Sequence, residues 1–151
     1  MPLKREDPIK TITEGISWLA TQCKLRSALH LFDANTIAHE FYCHLLDEIF
    51  DLELEVMDRI QANFPAIDLG DAVRKRVFQI TADKSGDKVQ ATLNAYAKHN
   101  LQKKYGHLQI IVIGDRQSTY KSVVVPVGVT FSTETDVIGL DELLKIIDKR
   151  L

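Results

Sequence analysis

The sequence predicts an α/β (α+β) domain in which a mixed central β-sheet is flanked by helices. Three observations carry this expectation. Amphipathic helical patterns fill the first third of the chain, two strand patterns meet near Gly70-Asp71, and a further helical pattern separates them from the continuous apolar run Leu108 to Ile113. Helices, a hairpin, a crossover helix and a strand buried on both faces combine as a sheet with helices packed on it. The 151 residues suit a single domain spanning 1–151, large enough for a core without disulfides or structural metal.

The elements follow in order. Pro8 opens a first helix read to about residue 30, with Ile12, Ile16, Leu19, Ala20, Cys23 and Leu25 at helical spacing. Trp18 sits among these positions and reads as core rather than as a platform for stacked bases. Asp33 or Asn35 caps a second helix whose buried stripe is Ile37, Phe41, Leu45 and Ile49, widened by Ala38, Leu46 and Phe50, with Glu40, His44 and Asp47 on the other face. Leu52 to Met57 alternates apolar and acidic residues, as a strand with one solvated face does. Ala66 to Leu69 and Val73 to Thr81 form an antiparallel hairpin turning at Gly70-Asp71. Ser85 caps a third helix with Val89, Leu93, Tyr96 and Ala97 on one face, ending near His99-Asn100. Leu108 to Ile113 is a central strand. Lys121 to Val129 supplies one or two more, and a last helix over about Leu140 to Arg150 packs through Leu140, Leu143, Leu144, Ile147 and Leu151.

Composition narrows the function classes. The formal net charge of −2 provides no global positive field and argues against a large DNA-binding footprint. Local bases in Arg74-Lys75-Arg76, Lys84, Lys88, Lys98 and Lys103-Lys104 leave room for a narrow phosphate-tracking face, or are solvated surface charges. No apolar run reaches the roughly 18 residues that span a bilayer, and Met1 to Pro8 lacks the apolar segment of a secretory signal. A cytoplasmic protein without a membrane partner is expected, with Cys23 and Cys43 as reduced thiols.

The hairpin holds the candidate site. Strand periodicity places Val77, Gln79 and Thr81 on one face and Phe78 and Ile80 on the other, while Asp68 points away from Ile67 and Leu69. In register, Asp68 and Gln79 converge, with the backbone carbonyl of Ile80 beside them. Three oxygens, one of them anionic, suit Mg²⁺, which takes hard ligands and keeps several waters. Such an ion activates water and stabilises a phosphoryl transition state. The same residues allow a plain account in which Asp68 is a hydrogen-bonded turn residue and Gln79 and Thr81 satisfy each other.

The segments Asn63-Phe64-Pro65-Ala66-Ile67-Asp68-Leu69, Phe78-Gln79-Ile80-Thr81, Lys88-Val89 and Thr92-Leu93 resemble the bacterial SMEK domain, a family related to the PD-(D/E)xK nuclease superfamily. Glu40-Phe41, Leu45-Leu46, Asp136-Val137-Ile138, Leu140 and Leu143-Leu144 extend the resemblance over roughly residues 10 to 150. It implies a restriction-endonuclease-like fold and a metal-dependent nuclease-like activity on nucleic acid. It further implies that Asp68 is the metal-binding aspartate, that Gln79 holds the usual Asp or Glu position, and that Glu40 is the acidic residue of the first helix. Thr81 stands where the superfamily places its catalytic lysine, and Lys88 is the candidate for a migrated one. Asp68, Gln79 and Lys88 are therefore the catalytic candidates, and Asp68, Gln79, Glu40 and Ile80 the metal set. The alternative is a catalytically degenerate module of the same fold that binds nucleic acid or protein. Similar domains often precede larger effector regions in apparent bacterial defence proteins, which implies a separately encoded protein partner; a homo-oligomer is a further expectation.

Two other constellations carry less. His39, Cys43 and His44 share one helix, and the His39 to Cys43 spacing suits Zn²⁺, but no CxxC or HExxH pair accompanies it. Ile80 to Gly86 is a strand leading into a helix N-terminus, which can hold a phosphate, yet it lacks the GxxxxGK[ST] pattern.

Overall fold

The computed structural model describes residues 10–18, 21 and 33–150. Helix α1 covers 10–18 and buries Ile16, with Ile12 packed beside it. Leu19, Ala20, Cys23 and Leu25 lie outside the described residues. Trp18 corrects the core expectation, being 51% exposed. Two residues beyond Ile16, it is turned roughly 200° around the helix axis.

Helix α2 runs from Asp33 to Phe50. Its buried line is Ala38, Tyr42, Leu46 and Ile49, while Ile37 is exposed and Phe41 and Leu45 are only partly covered. Ala38, Leu46 and Ile49 are buried as expected, Tyr42 joins them, and the covered face is shifted away from Ile37 toward the side that carries them. Tyr42, whose ring is wholly buried, is the residue of that line that the apolar pattern does not announce. His39 turns toward the sheet and Glu40 toward solvent.

The alternation from Leu52 to Met57 appears in the burial: Leu52, Leu54 and Met57 are inside, Glu53 and Glu55 outside. Only Glu55–Val56 pairs as a strand, β1. The reason is that side chains take the preceding donors: Glu53 N–H donates to Asp71 Oδ2 (3.0 Å) and Leu54 N–H to Asp47 Oδ1 (2.8 Å). A 3₁₀ turn, Met57–Arg59, follows.

The hairpin consists of β2 (Leu69–Asp71) and β3 (Arg76–Thr81), with Leu69 opposite Phe78 and Asp71 opposite Arg76. Its turn lies at 72–75, two residues later than expected. Gly70 is a packing residue inside β2, since a Cβ there would meet Met57 Sδ at 3.0 Å and Val77 Cγ1 at 3.3 Å. Asp71 closes the turn by accepting from the Arg74 N–H (2.9 Å) and guanidinium (3.0 Å).

Ser85 Oγ accepts from Lys88 N–H and starts α3 (Gly86–Lys98), which buries Val89, Leu93 and Tyr96 as expected. Asn100, at φ 54°, leads into a short helix α4 (Leu101–Tyr105) that the sequence did not announce. Strand β4 (His107–Val112) pairs parallel with β3. Short α5 (Thr133–Asp136) precedes β5 (Val137–Ile138), which pairs parallel with β4, and α6 (Leu140–Arg150) closes the fold with Leu143 and Ile147 buried. No strand forms between Lys121 and Val129. There the Gln90 amide takes both backbone groups of Val124 (2.7 and 2.8 Å), and Val129 N–H turns back to the Pro126 carbonyl. A side chain substitutes for a neighbouring strand, and proline removes a ladder donor.

The five-stranded sheet has the order β1-β2-β3-β4-β5, antiparallel on the first side of β3 and parallel on the other. Leu69, Phe78, Ile80, Ile111 and Ile138 pack with α1, α2 and α6. Val77, Leu108, Ile110, Val112 and Val137 pack with α3 and α4. The chain is thus an α/β fold with a mixed open sheet covered on both faces. Among the described residues no helix is long and apolar enough to cross a membrane.

Candidate functional site

Asp68 enters the sheet one residue before β2. Its N–H donates to the Phe78 carbonyl (2.9 Å) and its carbonyl accepts from Met57 N–H (2.9 Å). Upstream of it the chain leaves the ladder, and the carboxylate takes over: Oδ2 accepts from Ile80 N–H at 2.7 Å. Since N–H and C=O of a strand residue point to the same side, the Ile80 carbonyl also faces the edge of β3 that Asp68 occupies. Gln79 lies alongside. With its amide oriented to satisfy both groups, Nε2 donates to Asp68 Oδ2 and to the Ala66 carbonyl, each at 2.9 Å. Turned over, the amide oxygen would occupy that position, 2.9 Å from a carboxylate oxygen, an arrangement that needs a cation to hold it.

From the other side comes His39 of α2, whose Nε2 is 3.5 Å from Asp68 Oδ1 with its side chain only 14% exposed. Burial pushes the Asp68 carboxyl above its ordinary range. His39, the Ile80 N–H and Lys88 oppose that shift, while Asp58 adds to it. Lys88, half-buried in the first turn of α3, is therefore within electrostatic reach of Asp68. Among the described residues it forms no direct ion pair.

The SMEK domain family model matches residues 11–148. The chain belongs to the SMEK domain family. Comparison with curated proteins and with solved structures found no match.

In this SMEK domain the sequence candidates divide. Asp68, Gln79 and the Ile80 backbone are brought together at the C-terminal end of β3, the end at which open α/β sheets bind ligands. Glu40 stands apart from them, exposed and ion-paired with Arg59. The face that α2 turns toward Asp68 carries His39 instead, a residue considered from sequence only with Cys43 and His44. Its relation to Asp68 depends on which face α2 buries, a face that includes Tyr42. Thr81 Oγ1 accepts from Asp83 N–H, Asp83 Oδ1 from Ser85 N–H, and Ser85 Oγ from Lys88 N–H. These nested turns fix the chain at the start of α3 and engage the Lys88 N–H there.

The zinc constellation is not assembled. Cys43 Sγ faces the Leu54 carbonyl at 3.4 Å, its thiol pushed up by burial, and His44 is exposed. Cys23 lies outside the described residues. Among the described residues no three His, Cys, Asp or Glu side chains stand close enough to share a metal. A cation at Asp68 would instead draw on one carboxylate, an amide oxygen and a backbone carbonyl, with water completing the shell. That donor set fits a hard divalent ion.

Of the bases noted in the sequence, three are committed elsewhere, Lys104 by lying 5.1 Å from the Tyr105 ring centroid. Arg74 is bound to Asp71, and the half-buried Arg76 guanidinium stacks 4.5 Å from the Phe50 ring centroid while donating to Gln109 (2.7 Å). Lys75, Lys84, Lys98 and Lys103 remain exposed.

Proposed function

We infer that this SMEK domain is a Mg²⁺-dependent nuclease-like domain acting on nucleic acid, with a restriction-endonuclease-like arrangement of its sheet. The observation that carries the reading is the convergence of Asp68, the Gln79 amide and the Ile80 backbone at the end of β3, with Lys88 in electrostatic reach. Asp68, the reoriented Gln79 oxygen and the Ile80 carbonyl would hold the ion. When bound, the cation activates a water and polarises a phosphoryl oxygen. Asp68 would offer the ion its Oδ1, since Oδ2 accepts from the Ile80 N–H. Lys88 sets a positive charge against the phosphate and takes the electrostatic part that Thr81 cannot play. Exposed Lys84 extends the positive surface along the strand. The family resemblance adds a setting, a bacterial defence system.

A second reading, a catalytically degenerate module that binds nucleic acid or protein, is favoured by two observations: the Thr81 hydroxyl is used in a turn, and among the described residues Lys88 makes no direct pair with Asp68. Cleavage of single- and double-stranded DNA and RNA in Mg²⁺ separates the two. The first reading expects Asp68→Ala to abolish cleavage and Lys88→Ala to slow it by about 10²-fold, the usual scale for one electrostatic partner. Cleavage unchanged by Asp68→Ala sinks it, and binding without cleavage by the wild-type chain selects the second.

A further inference from the structure

The contact between His39 and Asp68 has an unusual length. At 3.5 Å, Nε2 and Oδ1 are beyond the 2.7–3.2 Å of an ordinary hydrogen bond. They are instead about as far apart as two neighbouring ligands of one small cation: donors each about 2.1 Å from a shared ion, at angles between octahedral and tetrahedral, stand roughly 3.0–3.4 Å apart. The other oxygen of Asp68 is already engaged by the Ile80 N–H, leaving Oδ1 as the oxygen free for a cation, and His39 is what faces it. Both side chains are mostly buried, at 14% and 20% exposure, so they are held where they are by packing. His39 lies one turn from Tyr42, whose ring is wholly buried.

We propose that His39 is a metal ligand, and that the site is built for a first-row transition cation of the Mn²⁺ or Co²⁺ class in preference to Mg²⁺. The proposal rests on the reading that Asp68 binds a divalent cation and adds the nitrogen donor and the choice of ion. An imidazole nitrogen beside a carboxylate and a backbone carbonyl is a mixed donor set. Mg²⁺ takes oxygen ligands and gains little from such a nitrogen, whereas affinity at N/O sites rises from Mn²⁺ through Co²⁺ to Ni²⁺. The other α2 candidate, Glu40, would have made an oxygen-only site, but it faces away and pairs with Arg59.

Isothermal titration of the whole chain with MnCl₂, CoCl₂ and MgCl₂ at pH 8, where an ordinary imidazole is neutral, tests this without reference to activity. The wild-type chain should bind Co²⁺ and Mn²⁺ at least about tenfold more tightly than Mg²⁺. His39→Ala should remove that preference, weakening Co²⁺ about 10- to 100-fold, the scale on which metal sites respond to a lost partner, while leaving Mg²⁺ affinity within about twofold. Asp68→Ala should weaken all three ions. A readout on the wild-type chain guards against a variant that fails to fold: Co²⁺ should give one far-downfield, contact-shifted imidazole N–H signal in the NMR spectrum, absent from His39→Gln. Equal affinities for Co²⁺ and Mg²⁺, or a His39→Ala chain that folds and keeps its Co²⁺ affinity, overturn the role of His39 and leave the Asp68 reading standing. No binding of any of the three ions, or binding indifferent to Asp68→Ala, overturns both.

Discussion

Replacing Asp68 by Asn should make the metal-free protein more stable while removing its cation site. Asn has nearly the same shape, and its carbonyl oxygen can still accept from the Ile80 N–H that Asp68 Oδ2 holds at 2.7 Å. What disappears is a negative charge that is mostly out of water, with burial the largest influence on its carboxyl and the neighbouring Asp58 a further opposing one. Because the folded-state pKa is raised, the folded chain holds this proton more tightly than the unfolded chain. That contribution to stability is fully present below the ordinary carboxylate value of 3.8 and is lost as pH rises through the raised value. At neutral pH the wild-type protein therefore carries a penalty that the Asn variant lacks. Single stabilising substitutions commonly gain about 0.5–2 kcal/mol, which for a chain of this size raises Tm by roughly 2–6 °C. Urea unfolding at pH 7.5, repeated at decreasing pH without divalent ions, reads the effect. The gain should shrink steadily as the solution becomes acidic. A variant less stable than wild type by more than about 1 kcal/mol at pH 7.5 would refute the reasoning, since it would mean that His39, Lys88 and the Ile80 N–H outweigh the burial of the charge.

Gln79→Glu should act in the opposite direction: two carboxylates 2.9 Å apart would cost the metal-free chain about 1–3 kcal/mol. Added Mn²⁺ should restore it, so that thermal melts with and without the ion differ more for the variant than for wild type. Asp71→Ala removes the acceptor for Glu53 N–H, Arg74 N–H and the Arg74 guanidinium. About 2–4 kcal/mol of stability should be lost at pH 7, since bonds to a charged group are each worth roughly 1.5–3 kcal/mol and water re-solvates part of what is exposed. Burial opposes the ionisation of Asp71, but these bonds outweigh it and hold its carboxyl below the ordinary 3.8. Its contribution is present above 3.8 and fades only as pH falls through the lowered value, so wild type and variant should converge in urea unfolding only in strong acid.

Much of the frame can be read from residue patterns because single faces decide it. Alternation in β3 sends Phe78 and Ile80 to one core and Val77 to the other. The apolar run of β4 is buried on both sides, and Ser85 starts α3 through its own hydroxyl. Legibility fails where a position depends on a distant partner. Gly70 looks like a turn residue, but only the approach of Met57 and Val77 shows that it is needed inside a strand. Val123 to Val125 has strand composition, yet the Gln90 amide, far away in sequence, satisfies Val124 and leaves that valine exposed.

The candidate site divides along the same line. Alternation puts Asp68 and Gln79 on compatible faces, but the register that brings them together depends on the turn lying at 72–75, later than Gly70-Asp71 suggests. The contribution of α2 depends on which of its faces is covered, and Tyr42, an aromatic with a polar tip, is a weak sign of burial. The resemblance points to Glu40, which the helix pattern already places on the solvated face, and the neighbouring His39 is what faces Asp68. That exchanges an oxygen donor for a nitrogen donor, and with it the expected ion.

The central claim, that Asp68 is the anchor of a cation site at the end of β3, is tested most directly by anomalous scattering from crystals soaked in Mn²⁺. The account predicts a peak about 2.2 Å from Asp68 Oδ1, with the Ile80 carbonyl and His39 Nε2 in its shell. An ordered Asp68 with no peak beside it, or manganese bound only elsewhere on the surface, would contradict it.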